Sequence, residues 1–152
     1  MRISSLLLAL AASFVPNTVC AQAIIAANSG LTSSTSVIDF GANVLPNFTP
    51  VSTQFSGITI PHANYFTTGV SNNLVGGFLT NDFSGAPNTL RIQFASPITD
   101  CSFVYHQTSM AAASSMRAIF QGVTMDSFSG TWSQSQPNNY FGFTNTILDT
   151  LE

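Results

Sequence analysis

Short stretches rich in β-branched and aromatic residues succeed one another along this chain, and none runs long enough for a packed helix. They read as strands at Ser36–Phe40, Gln54–Ile60, Tyr65–Thr68, Leu74–Thr80, Thr89–Phe94, Ile98–His106, Met116–Phe120, Gly122–Asp126, Gly130–Trp132, Tyr140–Phe143 and Thr146–Leu151. Turn chemistry divides them: Gly41-Ala42-Asn43, Ser84 to Asn88, Ala95-Ser96-Pro97 and Gln136 to Asn139. Strands this short and this regularly spaced predict an all-β, antiparallel sandwich or jelly roll. The run Met110 to Ala113 has helix propensity but only about two turns of length, so it reads as a loop.

The beginning of the chain has a different character. One early positive charge, an apolar stretch from Leu6 to Val15 and small residues ahead of Ala21 or Ala23 form a secretory signal peptide too short to span a bilayer. The expected organisation is therefore a signal peptide over 1–21, with an alternative cut after Ala23, a loose leader over 24–35, and one sandwich domain over 36–152. Cys20 does not form a lipobox, because Val19 stands where a small residue is needed. No stable membrane insertion is expected after cleavage, and secretion or the cell surface is the expected location.

Beyond the signal peptide the chain is almost uncharged. Arg91 and Arg117 stand against Asp39, Asp82, Asp100, Asp126, Asp149 and Glu152, a net charge of −4, and lysine is absent. Such a surface lacks the cationic footprint that nucleic acid or anionic lipid requires. Twelve of the thirteen Phe lie beyond the signal peptide and supply apolar area instead. With Cys20 removed, Cys101 is the sole thiol, and its place beside Phe103 in an alternating run reads as a small buried hydrophobe.

No residue pattern marks an enzyme. His62 and His106 lie in no nucleophile motif, the acids stand singly at strand or loop ends, and no metal-protease, Walker or dinucleotide fingerprint occurs. The chain reads as non-enzymatic, with no cofactor called for by any motif. Structural calcium is the one ion that scattered carboxylates can hold without a signature, and Asp39, Asp82 and Asp149 are its candidate ligands. Their alternative role is to keep turns and edge strands soluble. The candidate ligand-binding patch is Trp132, Gln134, Asn138 and Tyr140, where flat apolar faces and neutral amides suit a sugar ring. The competing reading is a hairpin loop capped by core aromatics, with Phe141 and Phe143 facing inward.

Two stretches, MRAIFQGVTMDSFSG (116–130) and NNYFGFTNTILDTLE (138–152), resemble the later half of exported bacterial proteins that carry PEP-CTERM sorting tails. The earlier half agrees in order: Val37-Ile38-Asp39-Phe40, Gln54 to Ile58, Leu90 to Phe94, then Pro97 leading into Cys101-Ser102-Phe103. The resemblance implies a β sandwich similar to carbohydrate-binding modules, a place at the outer surface of Gram-negative cells, and extracellular polysaccharide as partner. The alternative is a cohesive matrix protein with no small ligand. The family continues past the position of Glu152 into a sorting tail, which implies a truncated product or a fragment. On that reading the sandwich lacks its closing strand, and Ile147–Leu151 lies beside an open edge prone to self-association.

Overall fold

The computed structural model describes residues 20–34, 36–42, 44–67, 77–81, 89–106, 113–132 and 137–152. Every regular element among them is a strand: β1 (Gln22–Ala27), β2 (Thr49–Val51), β3 (Ile58–Thr59), β4 (Ala63–Phe66), β5 (Phe78–Asn81), β6 (Ile92–Ile98), β7 (Cys101–Val104), β8 (Ser114–Phe120), β9 (Val123–Gly130), β10 (Tyr140–Thr144) and β11 (Leu148–Leu151). They form three antiparallel sheets ordered β1-β10-β7, β3-β6-β11-β8-β9 and β2-β4-β5. The all-β antiparallel class expected from the sequence is the class observed.

The largest core lies between the first two sheets, as in a β-sandwich. Phe141 and Phe143 of β10 meet Met116 and Ala118 of β8 and Leu148 and Leu151 of β11, with Trp132 at one end. Alternation explains the choice on β8 and β10, where residues two apart share a face, whereas on β11 the irregularity between Leu148 and Thr150 turns both Leu148 and Leu151 inward. A second core of Val51, Phe55, Ile58, Ile60, Ala63 and Tyr65 lies under the third sheet. Ile92 and Phe94 of β6 pack against both cores and join them. The β8–β9 hairpin closes through Gln121 and Gly122 at φ 50° and 80°, the two left-handed residues that a type I′ turn demands.

Several expectations are corrected. The stretch 24–35 does not begin as a loose leader: Gln22–Ala27 is β1, hydrogen-bonded to β10 from Gln22 opposite Thr144. Ser36–Phe40 is not a strand. Its apolar end covers the second core, where the Phe40 ring meets Phe55 edge-on at 4.8 Å and its carbonyl accepts the Tyr65 hydroxyl at 2.7 Å. Gln54–Ile60 shrinks to the two residues of β3, because Phe55 enters the core from a turn. Ala95-Ser96-Pro97 is not a turn but an irregularity within β6, where a proline is tolerated because the ladder is locally broken. The segment Gly122–Asp126 extends through Gly130 as one strand, β9, and Thr131 and Trp132 of the expected strand Gly130–Trp132 lie beyond its end. Met110 to Ala112, the turn Ser84 to Asn88 and Gln136 lie outside the described residues.

The largest correction concerns the C-terminal strand. β11 is not at an open edge; it is the middle strand of five, paired to β6 on one side and β8 on the other. Leu148 and Leu151 point into the core while Ile147 is exposed, so the inward set is not the run Ile147, Asp149, Leu151 that simple alternation suggests. The ladder continues through Glu152, which exchanges two backbone hydrogen bonds with Arg117 at 2.8 and 3.0 Å.

Candidate functional site

The outer face of the five-stranded sheet brings polar side chains into rows. Thr59 of β3 pairs with Gln93 of β6, Gln93 with Thr150 of β11, Thr150 with Ile119 of β8, and Ile119 with Thr124 of β9. Directly paired residues share a face, so these five side chains cross the sheet in one line. At about 4.8 Å per strand the line is about 19 Å long. Gln93 and Thr124 are exposed, and the other three are half-buried.

A second row lies two residues further along. Leu151 faces Ile92 and Ala118, which sets Glu152 between Arg91 and Arg117 on the outer side. Both guanidiniums hold the carboxylate: Arg91 Nε donates to Oε1 at 2.7 Å, Arg91 Nη2 to Oε1, and Arg117 Nη2 to Oε2. The Glu152 side chain is 2% exposed and the arginines 48% each, so the anion is covered and the cations are presented. Open grooves of about 430 and 390 Å³ run along this face and share Gln93 and Thr150. Their lining combines threonine hydroxyls, the Gln93 amide and the two guanidiniums with the Asp149 and Glu152 carboxylates and apolar Phe94, Ala95 and Ile119, and its polar groups are able to hydrogen-bond an extended polar ligand.

The patch expected around Trp132 is arranged otherwise. Trp132 is 8% exposed and its ring packs edge-on against Tyr105, Phe128 and Phe141, with centroids 6.0, 6.2 and 4.8 Å away. Its faces are taken by the core. Tyr140 is half-buried and precedes Phe141 on β10, so it lies on the face opposite the Trp132–Phe141 contact. Asn138 is exposed and Gln134 lies outside the described residues. Trp132 and Tyr140 are therefore not brought together on one surface.

The carboxylates serve the backbone. Asp39 accepts the Gly41 amide at 2.8 Å in an Asx turn, and Asp149 accepts the Gln121 amide at 2.8 Å and the Thr150 hydroxyl at 3.0 Å. Asp100 takes the Asn145 amide at 2.9 Å, and Asp126 takes the Ser127 amide at 2.8 Å. Asp82 lies outside the described residues. Among the described residues no group of three or more His, Cys, Asp or Glu is placed to hold a metal.

Cys101 packs against the main core beside Phe103. Burial pushes its thiol up from 9.0 to about 11, the backbone hydrogen bond with Phe143 opposes this, and the Asp100 charge adds to it. A folded pKa above the unfolded one means that the unfolded state loses its proton first. Stability present below pH 9 is then lost as pH rises towards 11, on the order of 2 kcal/mol. Urea unfolding at pH 8 and pH 10.5 should show wild type losing about that much more than Cys101→Ala. Equal losses in the two proteins would contradict the assignment.

The two arginines occupy the polar positions of two alternating runs, Leu90 to Phe94 and Met116 to Phe120, which was the available sign that they share a face type. That they meet around Glu152 depends on strand order, which alternation does not encode. Comparison with family models, with curated proteins and with solved structures found no match.

Proposed function

We propose that this chain is an exported, non-catalytic β-sandwich module that binds extracellular polysaccharide over the outer face of its five-stranded sheet. The observation that carries the reading is the cross-strand row Thr59, Gln93, Thr150, Ile119, Thr124, a line of mostly hydroxyl and amide groups long enough for several sugar residues. Strand spacing of about 4.8 Å is close to the length of one pyranose unit, so successive sugars would meet successive strands. The resemblance to PEP-CTERM proteins and to carbohydrate-binding modules agrees with this partner. Retention of the purified chain on insoluble polysaccharides tests the reading. The double variant Gln93→Ala/Thr150→Val should weaken binding about tenfold by removing two hydrogen-bonding groups. Undiminished retention, or retention of neither protein on any polysaccharide, contradicts it.

Export carries a structural consequence. Cutting after Ala21 preserves all of β1, whereas cutting after Ala23 deletes Gln22 and Ala23, which pair with Thr144 and Phe143. Intact mass spectrometry of the secreted protein should place the first residue at Gln22. A start at Ile24 would contradict the selection of the cut by β1.

A cohesive matrix role is favoured by a different observation. Among the described residues β9 has a ladder partner on one side only, and it exposes Val123 and Met125. An edge strand with exposed apolar residues can pair with a second chain. Sedimentation over a wide concentration range should then show association that Met125→Lys suppresses, and a monomer throughout would remove this alternative.

A further inference from the structure

We infer that the Arg91–Glu152–Arg117 row is the subsite for a sugar carboxylate, which makes the polysaccharide an acidic, uronate-bearing one. The inference rests on the polysaccharide reading of the same sheet face. Its chemistry comes from what the row presents. Glu152 is buried beneath the guanidiniums and offers no acceptor to a ligand, while each arginine is half exposed. A guanidinium has five N–H donors, and the Glu152 contacts occupy Nε and Nη2 of Arg91 and Nη2 of Arg117. Donors therefore remain on both arginines, and both line the groove. Glu152 works as a spacer that holds two planar forks across the β11 strand, about two strand spacings apart.

Charge decides between a neutral and an acidic ligand. The row sets two guanidiniums against one side-chain carboxylate, and it holds the only Arg or Lys among the described residues, whose other charged side chains are Asp39, Asp100, Asp126 and Asp149. A chain with net negative charge has no general attraction for polyanions, so attraction is confined to this spot. A neutral sugar would be served by Gln93, Thr150 and Thr124 alone. A carboxylate additionally gains charge-assisted, bidentate bonds from guanidinium, which a lysine would not supply in that geometry. The adjoining neutral row would hold the rest of the sugar chain while the arginines read its acid group.

Affinity electrophoresis of the full chain in gels holding polygalacturonate, dextran or dextran sulfate tests this. Wild type should be retarded most by polygalacturonate, and retardation should weaken as salt rises. Arg91→Gln/Arg117→Gln should lose about tenfold in affinity for polygalacturonate while keeping what affinity it has for dextran. Because that variant strands the Glu152 carboxylate, Arg91→Gln/Arg117→Gln/Glu152→Gln is run beside it, with thermal melting to establish that both are folded. Folded variants that bind polygalacturonate as wild type does overturn the subsite. Preference for dextran, abolished by Gln93→Ala, overturns the subsite and leaves the polysaccharide reading standing. Preference for dextran sulfate overturns the carboxylate assignment, and retardation by none of the polymers overturns both.

Discussion

Gly142→Ala is expected to abolish the native fold or to cost at least about 4 kcal/mol. A Cβ at Gly142 would lie 2.0 Å from the Cys101 carbonyl oxygen and 2.8 Å from the Ser102 Cα. Both are backbone atoms of β7, so no side-chain rotation relieves the collision. Gly142 is buried in the middle strand of its sheet, paired with Ser102 on one side and Ile24 on the other. Separating β10 from β7 would also withdraw Phe141 and Phe143, which are 1% and 0% exposed. Circular dichroism and urea unfolding give the readout. A variant with wild-type stability would mean that β10 and β7 do not approach in this way.

Trp132→Ala is expected to lower stability by about 3–5 kcal/mol, the range for removing a large buried aromatic. The ring closes one end of the main core against Tyr105, Phe128 and Phe141. Its collapse is limited because the surrounding rings are themselves anchored: Tyr105 shares a 2.7 Å hydrogen bond with Ser114, and Phe141 lies within the β10 ladder. Set against a typical domain stability of about 5–15 kcal/mol, the loss is a large fraction of the whole. The urea midpoint should fall while glycan retention by the remaining folded protein is unchanged. A loss below about 1 kcal/mol would contradict the packing described, and lost retention at full stability would return the ligand site to Trp132.

The inward facing of Phe141 and Phe143 was legible because alternation alone sets it, as was the burial of Cys101 beside Phe103. Local signals misled where tertiary context overrides them. Pro97 lies inside β6 because the ladder is irregular there, and Pro50 is accommodated in β2 at the end of its sheet. The apolar run ending at Phe40 reads as a strand, yet its ring covers a core from a loop. The small residues of β1 carry no strong strand signal, and its pairing partner β10 lies more than a hundred residues later. β11 is the clearest case. Its flanking strands β6 and β8 come from separate, earlier parts of the chain, so its central position arises from long-range pairing rather than from its own residues. The candidate site shares that origin: Arg91, Glu152 and Arg117 become one feature only when those three strands lie side by side.

Backbone amide shifts in a heteronuclear NMR titration with galacturonate oligomers would test the sheet-face site most directly. The residues that move should be those of the outer face, Thr59, Gln93, Thr124 and Thr150 with Arg91 and Arg117, while the amides around Trp132, Asn138 and Tyr140 stay in place. Shifts confined to 132–140, or none on the five-stranded sheet at saturating oligomer, would contradict it.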